Sequence, residues 1–276
     1  MSFEGNGKTQ TRIFMKNFKL VATLLVVAVC TMFVTSCSND DDDKGGSQGG
    51  KKLSKAVWDY EDSSYDNTTW TFQYASGKLS KVTLRDRHGD EPVTITYSGK
   101  NVSIDNGFQT LQLNNAGFVE SGVMDFGSPY RFTCEYSNGY LTKVNYPDSE
   151  YKTRIEIKYD NNGNISSAYE YSNNQIVTEF KFTPSNYPAK GKNIFLLGQL
   201  FNSDYTLDLF WPAYYAGLLG KDSPNLVSKV ECLKDDEYGD LPDDIRFNYT
   251  FDNSGYVEKM TVKDDWDTRR ISFTYE

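Results

Sequence analysis

Histidine is the commonest general base, and this chain has one, His88. It stands in Arg85-Asp86-Arg87-His88-Gly89-Asp90-Glu91-Pro92, which reads as a polar hairpin loop rather than a nucleophile–base pair. The GxSxG elbow, the Walker loop, the HExxH helix and the dinucleotide fingerprint are missing from the sequence. Carboxylate pairs are the remaining enzymatic chemistry, because glycoside hydrolysis needs only two acids. Asp235-Asp236-Glu237-Tyr238-Gly239-Asp240 and Asp243-Asp244 supply acids, but in a loop with Gly and Pro, where carboxylates are ordinarily solvated or bind calcium weakly. The residues therefore describe a non-enzyme, with no catalytic set, no metal site and no cofactor.

The four cysteines, Cys30, Cys37, Cys134 and Cys232, have no metal-ligand spacing. Cys37 is the chemically informative one. A basic stretch, Lys16 to Lys19, precedes the apolar run Leu20 to Val34, which is short for a membrane span of roughly twenty residues and suits a signal-peptide core. The run ends in Val34-Thr35-Ser36-Cys37, which resembles the bacterial lipobox. There, small residues let the backbone fit the signal peptidase, and only a cysteine thiol can carry the lipid. Cys37 becomes the lipidated amino terminus in this reading, with two or three acyl chains as a stable membrane anchor at roughly 0.8 kcal/mol per buried methylene. Cys134 shares a face with Phe132 and Tyr136, and Cys232 with Val230. Both read as buried thiols, with a disulfide between them as the alternative in an oxidising envelope.

The third group of interest is aromatic. Between Asn186 and Asn225 the strand-like alternation stops, and apolar clusters such as Ile194-Phe195-Leu196-Leu197 and Leu207 to Gly220 predict short helices. Pro212 suits a first helical turn and Gly220 the position just past a helix end. The structural reading is a plug or cap that completes a barrel core. The functional one is that Trp211, Tyr214 and Tyr215 line a mouth that stacks on a glycan or holds an apolar ligand.

The elements around these residues are strands. Aromatics make up 15% of the chain, with Asn, Asp, Ser and Gly between them, which is strand-and-turn composition. Phe72-Gln73-Tyr74, Val93-Thr94-Ile95-Thr96-Tyr97 and Ile155-Glu156-Ile157-Lys158-Tyr159 alternate with period two. Many strands end in an aromatic followed by a Gly-containing turn, and Leu113, Tyr136, Tyr159 and Phe182 recur every 23 residues. That length is one hairpin. Repetition gives an antiparallel up-and-down meander of about fourteen to sixteen strands, wide enough to close into a barrel or flattened barrel. The final Ile271-Ser272-Phe273-Thr274-Tyr275-Glu276 ends on a charge, and a lipid anchor is superfluous on an integral barrel, so the apolar face is expected inside.

The expected organisation is a signal peptide over 1–36, with Met15 as an alternative start. An acidic, Gly-rich tether over 37–52 follows, and then one all-β domain over 53–276 with a helical insert at about 190–224. The net charge is −9, and removal of residues 1–36, with four basic groups and one acidic, makes it more negative still. Such a field argues against nucleic-acid partners.

Val34–Cys37 with Asp40-Asp41-Asp42-Asp43, the repeated Gly77-Lys78-Leu79-Ser80-Lys81-Val82 and Gly139-Tyr140-Leu141-Thr142-Lys143-Val144, and Tyr215 to Lys221 leading to Asn225-Leu226-Val227 together carry a resemblance. The chain resembles, over nearly all of 53–276, a family of Bacteroidota lipoproteins of unknown function described as having a porin-like fold. The resemblance implies a barrel and an outer-membrane, surface-exposed address, with the acidic run as an export signal. It implies no catalytic residues.

Overall fold

A computed structural model of the protein describes residues 50–60, 67–125, 127–192, 194–201, 210–235 and 244–276. Cys37, the apolar leader and residues 37–49 lie outside the described residues.

Sixteen strands form one closed antiparallel barrel in which each strand pairs with its chain neighbours and the last returns to the first. They are β1 (Leu53–Tyr60), β2 (Thr68–Ala75), β3 (Lys78–Asp86), β4 (Gly89–Ser98), β5 (Asn101–Ile104), β6 (Gln109–Leu113), β7 (Val119–Asp125) and β8 (Pro129–Ser137). The second half comprises β9 (Tyr140–Asn145), β10 (Arg154–Tyr159), β11 (Ile165–Ser172), β12 (Gln175–Pro188), β13 (Asn225–Asp235), β14 (Asp244–Phe251), β15 (Val257–Lys263) and β16 (Thr268–Tyr275). Strand β1 lies against β16, with Ala56 opposite Phe273, and Lys52 and Glu276 exchange backbone hydrogen bonds of 2.7 and 2.8 Å. Closure leaves no edge strand to pair with a stranger.

The apolar face is inside, as the alternation implies. Phe72, Val82, Ile104, Met124, Phe132, Ile155, Phe180, Met260 and Ile271 are among the buried core. The intervening outward positions, such as Gln73, Thr96, Arg131, Glu135, Lys158, Lys181, Lys259 and Arg270, are exposed.

The repeated Leu-Ser/Thr-Lys-Val motif has a structural cause. At Ser54, Ser80, Thr142 and Ser228 the register slips by one residue, a β-bulge. The bulge lets Leu79 and Val82, or Leu141 and Val144, both point inward although they are three apart. Each bulged hydroxyl donates to the partner strand, to the carbonyls of Thr274, Gln73, Glu135 and Thr183 at 3.0–3.1 Å. The carbonyl just before each bulge is taken up by a tyrosine. Tyr74 donates to Leu53, Tyr97 to Leu79, Tyr159 to Leu141 and Tyr249 to Val227, at 2.6–3.0 Å. A buried carbonyl left without a donor costs about 1–3 kcal/mol, so motif and tyrosine form one unit. Burial raises these phenols, Tyr74 and Tyr97 to about 12, which keeps them protonated donors at neutral pH.

The 23-residue spacing marks strand ends at Leu113, Tyr136 and Tyr159 but not at Phe182, which sits inside the long β12. Three five-residue turns share one hydrogen-bond pattern. The side chains of Asn114, Asp160 and Asp252 each accept from the backbone N–H groups two and four residues on, at 2.8–3.0 Å.

Asp252 also meets Lys51 at 2.7 Å, tying the start of the described chain to the turn between β14 and β15. That hydrogen bond, with backbone N–H groups from Tyr256 and Ser254, holds the Asp252 carboxyl down at about 2. A depressed folded-state pKa contributes stability above the unfolded value and loses it as pH falls through the folded one. We therefore expect the stability difference between the native chain and Asp252→Asn to be present at neutral pH and to shrink between about pH 4 and pH 2 in urea titrations. A difference that stayed constant over that range would dissociate Asp252 from the acid response.

Candidate functional site

The odd-numbered strands begin, and the even-numbered ones end, at one mouth of the barrel, where Lys52, Glu276 and the tight turns also lie. The segment between β12 and β13 enters the barrel from this end. It contains α1 (Leu196–Leu200) and α2 (Trp211–Tyr215), each five residues. Pro212 occupies the first turn of α2, as the sequence suggests. The helix stops at Tyr215, short of the expected end at Gly220, because the chain turns left-handed at Gly217 (φ +75°).

The described parts of the insert pack against the inner wall. Phe201, Phe210, Ala213 and Leu200 are buried, Phe201 meets Phe180 of β12 edge-on at 5.2 Å, and Phe210 meets Phe132 of β8 at 4.6 Å. Phe132 in turn covers Gly122 of β7, where a Cβ would lie 2.4 Å from its ring. The return leg is stitched across the mouth by backbone bonds, Val119 N–H to Leu218 at 2.9 Å and Lys221 N–H to Gly139 at 2.8 Å. Ser223 Oγ and Asn164 Oδ1 accept from Ile165 and Asn225.

Tyr215 lies in ring contact with Tyr214 at 5.1 Å and Trp211 at 6.4 Å, but the three face different surroundings. Tyr215 is 7% exposed, with its ring 4.8 Å from Phe72 and 6.0 Å from Trp70, and burial drives its hydroxyl pKa upward. Trp211 is half-buried edge-on against Trp70 at 4.9 Å. Tyr214 stacks on Phe195 at 4.8 Å and carries the Lys192 ammonium 4.3 Å over its face, with Lys192 paired to Asp222 at 2.5 Å. Of the three, Tyr214 alone lines a cavity of about 120 Å³, bounded also by Tyr159, Phe195, Leu219, Phe247 and Tyr249. The cavity is small beside the roughly 300–1,000 Å³ of ordinary ligand pockets. Its polar neighbours are engaged: Tyr159 and Tyr249 with bulge carbonyls, Ser223 with Ile165, and Asp222 with Lys192. Sequence reasoning missed Trp70, Phe195 and Lys192 as companions of these rings. Only the alternation of Trp70 with Phe72 marked any of them as inward-facing.

The other chemical candidates are dispersed. His88 is exposed in the turn between β3 and β4, where its Nε2 accepts from Arg87 at 3.1 Å. Residues 236–243 of the acidic stretch lie outside the described residues. The flanking Asp244 is held in ion pairs with Lys229 at 3.0 Å and Arg246 at 3.3 Å, which keep its carboxyl below the usual range. Cys134 is buried and Cys232 half-buried, the two are not joined by a disulfide, and the Cys232 thiol donates to the Lys234 carbonyl at 3.5 Å. Burial pushes the Cys134 thiol up, far from nucleophilic.

Two solved structures are similar to this fold. A porin-like protein from Bacteroides uniformis ATCC 8492 has a TM-score of 0.61 at 19% identity, covering 81% of this chain and 98% of its own. A porin-like protein from Bacteroides vulgatus ATCC 8482 gives 0.54 at 15%, covering 82% and 99%. No curated protein matches the chain. The barrel, its helical insert and a family model matching residues 90–259 agree, and the chain belongs to the family described as a domain of unknown function (DUF4595) with porin-like fold.

Proposed function

We propose that this protein is a lipoprotein of the cell envelope, held at the outer-membrane surface through a lipidated Cys37, whose barrel is a filled, non-catalytic scaffold acting through its outer surface. The observation that carries this reading is the inversion of a pore. The described parts of the chain's own insert pack inside the lumen, while the outward positions of the strands are polar or charged. A membrane-crossing barrel needs an apolar outer band and a polar interior. A chain with this arrangement gains its membrane association from something other than its strands, and the lipobox-like Val34–Cys37 supplies it. The ion-paired Asp244 and the exposed His88 support a binding or structural role over catalysis. For a carrier role with an apolar ligand, the described residues offer the small cavity beside Tyr214.

Mass spectrometry of the protein extracted from its own membranes tests the anchor. The expected amino terminus is an acylated Cys37, with surface protease removing the barrel from intact cells and Cys37→Ser releasing it from the membrane fraction. An unmodified Cys37, or a barrel protected in intact cells, would overturn the reading.

A further inference from the structure

The mouth closed by the insert is rich in lysine and contains no arginine among its described residues. Lys52, Lys78, Lys100, Lys190 and Lys221 are exposed there, and none makes an ion pair with a described carboxylate. Instead, neutral groups hold them. Lys52 donates to the Gly77 carbonyl at 3.2 Å, Lys190 to that of Ser254 at 3.0 Å and Lys100 to the Asn115 side chain at 2.5 Å. Lys78 and Lys221 lie over the rings of Tyr97 and Tyr140 at 5.0 and 5.9 Å. Among the described residues of this mouth, Asp222 and Asp252 are matched by Lys192 and Lys51, and Asp160 and Glu276 stand as opposing charges. The far mouth is mixed: Asp125, Glu150, Asp265 and Asp267 stand there beside Arg87, Lys152 and Lys263, and Asp148 and Asp264 pair with Arg131 and Arg269.

We infer that the lysine-bearing mouth is a docking face for the anionic headgroups of a bilayer, so that the barrel stands on the membrane with its opposite mouth outward. Charge complementarity is one support, since ammoniums held by neutral groups keep their charge available to lipid phosphates. The chain path is the second. The described chain begins at this same mouth, with Gly50 and Lys51, so the path toward Cys37 leaves from the lysine-bearing side. The orientation rests on the anchoring proposed above; the affinity of the face for anionic lipid does not.

The test uses the chain from residue 37 with Cys37→Ser, so that no acyl group contributes. Co-sedimentation is measured with vesicles of phosphatidylcholine alone and of phosphatidylcholine with phosphatidylglycerol. Binding is expected only to the anionic vesicles and should weaken as salt screens it. Joint substitution K52Q/K78Q/K100Q/K190Q/K221Q should lower it on the order of a hundredfold, as when about three ammoniums reach the headgroups. The same variant should unfold at the native denaturant concentration, because these side chains lie outside the core. Equal binding to both vesicle types, binding to neither, or an unchanged affinity in the quintuple variant would overturn the inference. A failure of Cys37 acylation in cells would leave this result standing.

Discussion

Tyr215→Ala is expected to lower the unfolding free energy by about 3–5 kcal/mol, the range for removing a buried aromatic ring. Its ring sits at the junction of wall and plug, near Phe72 and Trp70 on β2 and Tyr214 within α2. The barrel cannot collapse around the lost volume, because sixteen hydrogen-bonded strands fix its circumference. Against a total stability of about 5–15 kcal/mol for a domain, that loss is a large fraction. Urea denaturation followed by the fluorescence of Trp70 and Trp211 would report it. The same substitution at Trp211, half-buried at the rim, should cost less. If Tyr215→Ala left the midpoint unchanged, the insert would not be part of the core, and a ligand-lining role for these rings would regain its ground.

The second large effect is expected at Gly220. Its φ of +85° disfavours any side chain, and a Cβ there would lie 2.4 Å from the Gly139 carbonyl oxygen and 3.1 Å from the Tyr136 ring. Gly220→Val should cost about 2–5 kcal/mol from left-handed strain and overpacking together. The damage should be local first. The bond from Lys221 to Gly139 and the one from Val119 to Leu218 hold the insert's return leg to the wall, so those two amides should lose hydrogen-exchange protection ahead of the rest. Gly217→Ala is the control. It has the same left-handed backbone, φ +75°, but open space around the added methyl, so it should cost only about 1–2 kcal/mol. Equal losses at the two positions would mean that backbone strain, and not the seam with Gly139, governs the cap.

Period-two alternation made the strands, their inward face and the meander legible from sequence, because each strand carries its own burial pattern. The bulges were not legible. Leu79-Ser80-Lys81-Val82 reads as a broken alternation until the Ser80 hydroxyl is seen bonded across the ladder, and the tyrosine that completes the unit comes from the next strand pair. The insert's helices were visible as apolar clusters, but their lengths were set by Gly217 and by tertiary bonds to β7 and β9, which local sequence does not encode. The candidate triad failed to predict its own surroundings for the same reason. Trp211, Tyr214 and Tyr215 are adjacent along the chain, and a helical turn points them at a rim, a small cavity and a core.

The closure of β1 on β16 has a temporal consequence. Ser54 and Thr274 are 220 residues apart, and the bond between them cannot form until the carboxyl-terminal strand has been made. Every other strand finds a partner next to it in the chain, so hairpins can zip locally while β1 waits with one side open. Such a distant pairing carries a loop-closure cost that slows the final step of folding. Until that step, the open strand is exposed to pairing with other chains. Nascent molecules truncated before Thr268 would lack the partner altogether, and they should accumulate as aggregates and not as loose monomers.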